Sequence, residues 1–481
     1  MNTDTDTPEH TDIPLCVDLD GTLIRTDSLV ETAALFMKQH FLMVALFPFW
    51  LLDGRARFKE EIARRIELDA AHLPYEPDVL EFINQARSAG REVILCTGAN
   101  RRYAEAVAGH LKLFDGIMAS DATNNLSGQE KQRALTQRFG KGGYDYIGND
   151  SKDLPAFHDA RKSLLVSPTW RLRREQNSLI NAEVLVPESP PSIGMYISQL
   201  RLHQWLKNIL LFVPLLASHR FGEPQAILDT VLGFIAFSFC ASSVYVLNDL
   251  MDLPADRRHP RKRNRPFASG TIHPNQGLWL IPLLAFIGFA LASLLTFEFV
   301  LALLLYYLLS LNYNLWAKNL AVLDTLFLSG LYTLRIIAGA AAISVVPSFW
   351  LLAFSMFFFL SVALAKRYSE LVNLELESDQ RVPGRQYQTV DLNTIISQGA
   401  ASGYAAVLVM ALYINSEEVY ENYSHPQIIW LTCPLLLYWI NKLWLNAQRR
   451  EMHDDPLVWA IENRVSRGIA VLFTLLLIIA I

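Results

Sequence analysis

Three aspartates follow a long apolar segment in the second half of the chain. Asp249, Asp252 and Asp256 stand at positions i, i+3 and i+7, directly after the apolar run that ends at Leu247. This spacing predicts that the start of one helix turns the three carboxylates to the same side. Oxygen ligands on one face suit Mg²⁺, which is usually bound by one or two carboxylates, several waters and the phosphates of a substrate. The sequence therefore predicts magnesium-dependent phosphate chemistry here, with Asp249 and Asp252 as catalytic residues.

Basic residues follow these aspartates closely. We predict that they bind the phosphates of a substrate beside the metal, since guanidinium and ammonium groups pair well with phosphate oxygens. The residues assigned to substrate binding in this stretch are Asn248, Arg257, Arg258, Lys262 and Arg265. A simpler alternative is that the basic residues only fix membrane topology, because Lys and Arg accumulate in cytoplasmic loops. That alternative leaves Asn248 and the spaced aspartates unexplained.

A second pair of candidate catalytic residues lies near the start of the chain. The run Leu-Cys-Val-Asp-Leu-Asp-Gly-Thr-Leu at residues 15–23 indicates a buried strand that ends in a tight turn. A carboxylate there can attack phosphorus and form an aspartyl-phosphate, which divides a difficult hydrolysis into two easier displacements. We therefore predict Asp18 as the nucleophile and Asp20 as the general acid that protonates the leaving oxygen and later deprotonates water.

Three further motifs follow in order. A second apolar strand ends at Thr97, Lys131 lies at a predicted helix start, and residues 148–153 read Gly-Asn-Asp-Ser-Lys-Asp. Together the four motifs resemble the haloacid dehalogenase superfamily of phosphatases over residues 13–170. Strands that alternate with helices imply a doubly wound parallel sheet, with the site at the carboxyl ends of the strands. Thr97 and Lys131 are expected to neutralise the phosphoryl oxygens.

The same resemblance assigns a metal site. Asp150, with Asp18 and the carbonyl of Asp20, is expected to hold Mg²⁺, and Asp153 to support these ligands. An alternative is an intact fold that serves as a catalytically idle module. The presence of all the expected carboxylates argues against that alternative.

Composition divides the chain into two halves. The 481 residues are 52% hydrophobic and only 19% charged, and apolar segments recur from about residue 190 to the end. The net charge of −5 says little about partners because the basic clusters are local, and we predict no nucleic-acid partner. The four cysteines are scattered, so neither a disulfide framework nor a zinc site is indicated.

The boundaries follow from these shifts in composition. Residues 1–12 are predicted to be disordered, and they lack the basic start and apolar core of a secretory signal. We expect an α/β phosphatase domain at 13–185 with a helical cap at about 28–77. A Pro/Ser-rich linker at 186–197 precedes an all-α membrane domain at 198–481.

One stretch of the cap is strongly apolar. The segment Phe41–Leu52 is too short to span a bilayer. It is either ordinary cap core or a surface that leans into the membrane interface and brings the phosphatase site to a lipid-linked substrate.

The membrane domain is predicted to cross the bilayer about nine times. The predicted spans are residues 209–217, 227–247, 277–296, 299–311, 320–343, 349–364, 395–414, 428–444 and 469–481. Basic residues concentrate in alternate loops, including Arg381 and Arg385, and Arg220 alone falls on the other side. We therefore predict a multi-pass protein of the inner membrane with both active sites on the cytoplasmic side.

The NDxxDxxxD spacing at residues 248–256 resembles the first Asp-rich motif of UbiA-type intramembrane prenyltransferases, which bind a Mg²⁺-diphosphate donor. The basic run that follows is more similar to the branch of polyprenyl-phosphate phosphoribosyltransferases, which take 5-phosphoribosyl diphosphate and a lipid phosphate. The similarity continues at Tyr313 to Asp324, at 334–340, at 365–371 and at His453-Asp454-Asp455-Pro456. One departure from quinone-type enzymes is the absence of a second DxxxD motif, since Leu328 follows Asp324 by four residues.

This resemblance extends the set of candidate substrate-binding residues. The further members are Lys207, Tyr313, Lys318, Asp324, Arg335, Lys366 and Arg367. Arg335 lies inside a predicted span, where an ionisable residue is a functional candidate by default. Its structural alternative is a pairing with a buried carboxylate or backbone carbonyls. Lys318 and Lys366 alone are also explained as cations at helix ends that reach for the interface.

The resemblances together imply a bifunctional enzyme with one Mg²⁺ site in each domain. It transfers 5-phosphoribose to a polyprenyl phosphate and then removes the 5-phosphate. One alternative is a prenyltransferase that acts on an aromatic quinone precursor, and another is a phosphatase-like half with a regulatory or assembly role. Homo-oligomerisation remains an open expectation.

Overall fold

The computed structural model of the chain describes residues 13–179, 181–376, 386–452 and 456–481. The described residues divide into two compact units. The first contains the residues up to Arg201 and Tyr245–Pro282, and the second contains Leu202–Val244 and Leu283–Ile481. The predictions for residues 1–12, Arg381, Arg385 and 453–455 lie outside the described residues.

Six parallel strands form the sheet of the first unit, in the spatial order β3-β2-β1-β4-β5-β6. They are β1 (Leu15–Val17), β2 (Val93–Asn100), β3 (Gly116–Ser120), β4 (Asp145–Gly148), β5 (Lys162–Val166) and β6 (Ala182–Val186). Leu15 and Val17 pack into one apolar cluster, whereas Cys16 packs into another, because successive strand residues point to opposite faces. The sheet is thus covered on both faces, and the predicted doubly wound fold is confirmed.

Helices alternate with these strands. They are α1 (Ser28–Gln39), α2 (Phe47–Leu52), α3 (Arg55–Ala63), α4 (Pro77–Ser88), α5 (Arg101–Leu111), α6 (Gln129–Phe139), α7 (Leu154–Asp159) and α8 (Trp170–Glu175). The side chain of Asp27 caps α1 by accepting hydrogen bonds from the amides of Leu29 and Val30. The four cysteines are buried and unpaired.

Helices α1 to α3 and the 3₁₀ segment Phe41–Leu46 form a helical cap with its own apolar core. Phe36, Trp50 and Phe58 are buried in that core, and the rings of Phe36 and Trp50 meet edge to face at 5.7 Å. Leu42 and Leu52, by contrast, are each 84% exposed. One side of the apolar run therefore lies in the cap core, as the first alternative expected, and the other side is on the surface.

The first unit continues through α9 (Ile193–Gln199), the end of α11 (Pro224–Met251), α12 (Leu253–Arg258) and the start of α13 (Pro274–Ala292). The prediction that one helix carries Asp249, Asp252 and Asp256 is wrong, because α11 ends at Met251 and Asp252 occupies the N-cap position of α12 without a side-chain capping bond. The cause is Pro254, which lies in the first turn of α12. A proline lacks the amide hydrogen that would donate to the carbonyl four residues earlier, here that of Leu250, and its ring crowds that carbonyl.

The second unit is helical. After the 3₁₀ segment Leu202–Phe212 it contains α10 (Val213–Ala217), α14 (Phe297–Leu315), α15 (Leu323–Ala342), α16 (Phe349–Leu376), α17 (Leu392–Ile414), α18 (Glu417–Asn422), α19 (Pro426–Ile429), α20 (Thr432–Gln448), α21 (Pro456–Glu462) and α22 (Arg464–Ala480), together with the remaining parts of α11 and α13. Its largest apolar cluster joins α16, α17 and α20 through residues such as Leu371, Val407 and Leu443.

Seven helices within the described residues are long and apolar enough to cross a membrane. They are Pro224–Met251, Pro274–Ala292, Phe297–Leu315, Leu323–Ala342, Phe349–Asn373, Thr389–Ile414 and Pro426–Gln448. These match the second to eighth predicted spans. The predicted first span falls on a 3₁₀ segment and the five-residue α10, and the ninth is α22, which has 17 residues. The expected multi-pass bundle is therefore confirmed, and the count of nine is approximate.

Candidate active sites

The turn after β1 positions the first predicted site. The amide of Asp18 donates a hydrogen bond to the carbonyl of Ile147 in β4, at 3.0 Å. Gly21 has φ +73°, and a Cβ atom there would lie 2.2 Å from the Asn149 side chain. Thr22 donates to the same side chain at 3.3 Å. The glycine of the motif is therefore required both by its backbone conformation and by the close approach of Asn149.

One lysine joins the aspartates of two strand ends. Lys131 Nζ, at the start of α6, donates to Asp18 Oδ1 at 3.0 Å and to Asp153 Oδ1 at 2.7 Å. It also donates to the hydroxyl of Tyr146 at 2.8 Å, and that hydroxyl donates to Asp153 at 3.0 Å. The structure thus brings together three residues that the sequence predicted. Tyr146 was missed, because a tyrosine inside an apolar strand gives no spacing signal.

The environment of the two candidate acids shifts their titration. Burial raises the pKa of Asp18 to about 6, although the Lys131 ammonium opposes this shift. Burial and the nearby charge of Asp27 raise the pKa of Asp20 to about 8, against the hydrogen bonds that Asp20 accepts from the amide and hydroxyl of Ser28 at 2.8 and 3.1 Å. Asp20 is therefore the more easily protonated of the two, as a general acid must be.

Thr97 and Asp150 lie near the carboxyl ends of the strands on either side of β1. Thr97 is fully buried in β2, and its hydroxyl accepts a hydrogen bond from the amide of Ala99 at 3.0 Å. Asp150 directly follows β4, where it is partly exposed and accepts from the Ser151 hydroxyl at 3.1 Å. Both residues thus lie at the edge of the sheet where the resemblance expected them.

The cap contributes a lysine that the sequence did not reveal. Lys59, on α3, donates through Nζ to the carbonyl of Gly98 at 2.5 Å and to Asn125 Oδ1 at 2.7 Å. Burial lowers its pKa, and the charges of Asp20 and Asp27 partly offset that effect. This ammonium group therefore adds positive charge near the candidate acid. A single lysine in a helical cap has no motif, so only the fold reveals it.

The aspartates of the second predicted site each meet a basic residue. Asp249 is 3% exposed, is paired with Arg201, and accepts a hydrogen bond from Gln199 Nε2 at 2.9 Å. Arg265 Nη1 lies 3.3 Å from Asp249 Oδ1 and 2.6 Å from Asp256 Oδ2. Asp249 and Asp256 therefore converge on one guanidinium nitrogen although they lie on different helices.

The third aspartate and the basic cluster make ion pairs with the N-terminal half. Lys38 Nζ, in the last turn of α1, lies 2.6 Å from Asp252. Arg257 Nη1 donates to Glu31 at 2.7 Å, and Arg258 pairs with Asp69 at 2.6 Å. Lys262 is exposed and Asn248 half-buried. The predicted substrate-binding residues Arg257 and Arg258 thus also attach this loop to the cap.

The second unit holds a buried ionic cluster. Arg367 and Asp324 form an ion pair with side chains 1% and 0% exposed. The hydroxyl of Tyr313 donates to Asp324 at 2.8 Å, and Arg367 also pairs with Glu370 at 2.6 Å. Three predicted substrate-binding residues thus form one cluster where the end of α14, the start of α15 and the C-terminal part of α16 meet.

Arg335 lies in a separate pocket of aromatic and amide groups. Its guanidinium donates to Asn208 Oδ1 at 2.9 Å, to the carbonyl of Leu331 at 2.7 Å and to the Tyr306 hydroxyl at 3.2 Å. It also lies 4.9 Å from the centre of the Tyr306 ring, a distance typical of a cation–π contact. Backbone carbonyls were among the partners expected for a structural role. The remaining predicted residues are all partly buried, and they are Lys207, Lys318 and Lys366.

Both candidate sites offer oxygen atoms, the donors that magnesium prefers. Asp18, Asp150 and the Asp20 carbonyl supply oxygens at neighbouring strand ends, and Asp249 and Asp256 supply two convergent carboxylates. Across the described residues, no three His, Cys, Asp or Glu side chains form a ready set of metal ligands. Mg²⁺ commonly completes its shell with waters and substrate phosphates, so two carboxylates are sufficient protein ligands.

Comparison with known families agrees with this geometry. The model of the UbiA prenyltransferase family matches residues 209–463, which is more than half of the chain. The chain belongs to the UbiA prenyltransferase family. A haloacid dehalogenase-like hydrolase model matches residues 15–158, so this UbiA protein carries an N-terminal domain of a second enzyme family.

Individual relatives extend the comparison. The uncharacterized protein y4nM of Sinorhizobium fredii is 35% identical over 458 residues, or 94% of this chain and 88% of that protein. The decaprenyl-phosphate phosphoribosyltransferase of Mycobacterium tuberculosis is 32% identical over 195 residues, or 40% of this chain and 65% of that protein. A solved UbiA homologue of Archaeoglobus fulgidus, bound to GPP and Mg²⁺, covers 59% of this chain and 96% of its own, with 17% identity and a TM-score of 0.45.

Proposed function

We propose that this UbiA protein transfers 5-phosphoribose from phosphoribosyl diphosphate to a polyprenyl phosphate and then removes the 5-phosphate, giving polyprenyl-phosphoryl ribose. The observation that carries the proposal is the convergence of Asp249 and Asp256 on Arg265 beside further arginines. The similarity to a decaprenyl-phosphate phosphoribosyltransferase supports the choice of donor and acceptor.

In the transfer step, an oxygen of the lipid phosphate attacks the anomeric carbon of the donor. The bond from that carbon to the diphosphate breaks, and the diphosphate leaves with the electron pair. Arg265, Arg257 and Arg258 bind and orient the phosphates, and a positioned guanidinium stabilises the charge that develops on the leaving group. Asp249, Asp252 and Asp256 would hold Mg²⁺, which when bound neutralises part of the diphosphate charge.

In the hydrolysis step, a carboxylate oxygen of Asp18 attacks the 5-phosphate. The bond from phosphorus to the ribose oxygen breaks, and Asp20 donates its proton to that oxygen. Water then attacks the aspartyl-phosphate, Asp20 takes the proton, and inorganic phosphate leaves as Asp18 is restored. Lys131 orients Asp18, while Asp150 would bind the Mg²⁺ that shields the phosphoryl charge.

The two reactions fit in sequence because the product of the first keeps a phosphate on C5 of the ribose. A phosphatase in the same chain meets that product at a high effective concentration. We further propose that both sites face the cytoplasmic side of the inner membrane, where phosphoribosyl diphosphate is available.

The direct test is the choice of donor. Membranes that contain the full chain are supplied with polyprenyl phosphate, Mg²⁺ and either ribose-labelled phosphoribosyl diphosphate or labelled prenyl diphosphate with an aromatic acceptor. The proposal expects label in a lipid only with the ribosyl donor. Label transferred only from the prenyl donor would contradict the proposal and indicate prenyl transfer. Diphosphate release without lipid-linked ribose would contradict it and indicate hydrolysis of the donor.

A further inference from the structure

Several large apolar side chains of the cap are exposed. Within the segment Phe41–Leu52, the exposed fractions are Phe41 50%, Leu42 84%, Phe49 64%, Leu51 51% and Leu52 84%. We call these five residues the cap surface. Scattered exposed apolar residues are normal, but five within twelve positions mark a surface that binds another apolar phase or partner.

The cap surface is held in place by an ordinary folded core. Trp50 is 9% exposed and packs against Phe36 and Phe47, and Phe47 packs edge to face on Phe58 at 5.1 Å. Trp50 and Phe47 alternate with exposed residues of the same segment, so the exposure of Phe49 and its neighbours does not come from an unfolded segment.

Contacts within the first unit place helix α1, which precedes the cap surface, at the ends of two membrane spans. At the start of α1, Asp27 accepts a hydrogen bond from Asn275 Nδ2 at 3.3 Å, and Asn275 is the second residue of the span Pro274–Ala292. In the last turn of α1, Lys38 lies 2.6 Å from Asp252, which directly follows the span Pro224–Met251. Helix α1 therefore runs between the ends of two spans, where the hydrocarbon region gives way to the headgroups.

The cap surface begins immediately after this helix. Phe41 is three residues beyond Lys38, and three consecutive Cα–Cα steps of 3.8 Å cover at most about 11 Å. The Cα atom of Phe41 therefore lies within about 11 Å of the Cα atom of Lys38, whose side chain reaches the residue after the Pro224–Met251 span. The headgroup region of a bilayer adds several ångströms on each side of the hydrocarbon, so an apolar surface near the end of a span is within reach of lipid.

Basic residues follow the cap surface along the chain. Arg55 and Arg57 are exposed on α3, shortly after Leu52, the last residue of the cap surface. Arg57 also pairs with Glu61. A short apolar face next to cations is typical of segments that lie in the membrane interface, because the apolar side chains enter the acyl boundary while the cations meet anionic headgroups.

We propose that the cap surface inserts into the bilayer interface beside the ends of the Pro224–Met251 and Pro274–Ala292 spans. Its occupant is lipid, not a second copy of the chain. If the proposed function also holds, this arrangement lets a lipid-linked 5-phosphate reach Asp18 while its isoprenoid tail stays in the membrane.

The insertion is tested on the full chain in proteoliposomes by spin labelling. Leu42→Cys and Leu52→Cys are labelled with a nitroxide, and collision with oxygen, which concentrates in the bilayer, is compared with collision with a water-soluble nickel chelate. The matched control is Ser88→Cys, which is exposed at the end of α4, at the amino-terminal edge of the sheet. The four native cysteines are buried, so the unsubstituted chain is expected to label weakly.

The proposal expects oxygen collisions to dominate at 42 and 52 and nickel collisions to dominate at 88. Nickel-dominated collisions at 42 and 52, equal to those at 88, would overturn it. Protection from nickel that persists in detergent and grows with protein concentration would overturn it in favour of contact between two copies.

A second measurement links the surface to substrate delivery. Leu42→Asp/Leu52→Asp is compared with Ser88→Asp for phosphate release from a soluble aryl phosphate and from a long-chain lipid-linked phosphate in vesicles. The cap-surface variant should retain soluble hydrolysis and lose about tenfold on the vesicle substrate, a ratio consistent with weakened interfacial binding. If the cap-surface variant and Ser88→Asp hydrolysed each substrate at the same rate, delivery through the interface would be refuted. Because the spin-label result needs no substrate, failure of the proposed function and failure of the insertion are distinguishable.

Discussion

At the phosphatase site one lysine serves two carboxylates, whereas at the acidic motif the carboxylates meet cations from several segments. Lys131 bridges Asp18 and Asp153, whereas Asp20 accepts hydrogen bonds from Ser28. In the acidic motif, Asp249 meets Arg201 and Arg265, and Asp252 meets Lys38. Under the proposed function, the first site receives a phosphoryl group, while the second exchanges these protein cations for a metal-bound substrate.

The two sites also differ in which half of the chain holds them in place. Lys38, Glu31 and Asp69 of the phosphatase half pair with residues of the loop at 252–258, so the acidic motif is held partly by its neighbour. The carboxylates that bind Lys131 belong to the phosphatase half itself. We therefore expect changes in the cap to alter transfer, and changes in the acidic motif to leave hydrolysis intact.

The largest effect is expected from Asp18→Asn. Loss of the nucleophile should lower phosphate release by about 10³-fold or more, since removal of a residue that acts covalently abolishes the whole step. Ribosyl transfer should continue. The measurement is phosphate release from a soluble aryl phosphate by the purified full chain. Asp78→Asn, the same change at an exposed position on α4, should keep full activity, and an equal loss in both variants would contradict the assigned role.

A stability experiment extends the comparison to the second unit. Arg367→Met leaves the carboxylate of Asp324 buried without its cation, which should cost about 3–5 kcal/mol of unfolding free energy. Combining it with Asp324→Asn should restore part of that loss, because the uncompensated charge is removed. Denaturation in detergent measures both. Arg467→Met, at an exposed position on α22, should change stability by less than about 0.5 kcal/mol, and a comparable loss there would show that the buried pair is not special.

Asp249→Asn tests independence in the other direction. Transfer of labelled ribose to lipid should fall by about 10²-fold, because losing this carboxylate weakens the hold on the Mg²⁺ that would neutralise the leaving diphosphate. Hydrolysis of the aryl phosphate should not change. Asp229→Asn lies on the same helix and should leave transfer intact. If hydrolysis falls in parallel with transfer, the two sites are not separable.

Lys38→Gln should have the smallest effect. The pair with Asp252 is about one-fifth exposed on each side and joins residues 214 positions apart, so its strength should not exceed about 1 kcal/mol after solvent screening. Because the lysine competes for Asp252, the Mg²⁺ concentration for half-maximal transfer should fall by up to about fivefold. Lys112→Gln, at an exposed position in the same half, supplies the control. An unchanged requirement in Lys38→Gln would mean that Asp252 does not bind the metal.

Much of the phosphatase site was predictable because its residues sit at fixed offsets from strand ends. Asp18, Lys131 and Asp153, which the sequence assigned to one site, do lie in contact. Lys59 was not predictable, since its position depends on how the cap folds over Gly98. Lys38 is a similar case, because no local pattern connects it with Asp252.

The acidic motif shows the limit of helical spacing as evidence. The i, i+3, i+7 pattern correctly grouped Asp249 with Asp256, although the helix ends between them. Pro254 explains this break, because a proline cannot donate the helical hydrogen bond at its position. The proline alone was therefore enough to predict a helix boundary between Asp249 and Asp256. The apolar run Phe41–Leu52 was ambiguous for a different reason. Hydrophobicity alone does not tell a core residue such as Trp50 from a surface residue such as Leu52.

The most direct test of the account is mass spectrometry of the lipids made by the full chain from phosphoribosyl diphosphate and polyprenyl phosphate. The unsubstituted chain should yield polyprenyl-phosphoryl ribose, and Asp18→Asn should accumulate the same lipid with one additional phosphate. The account would be contradicted if both chains gave the same lipid, or if neither product contained ribose.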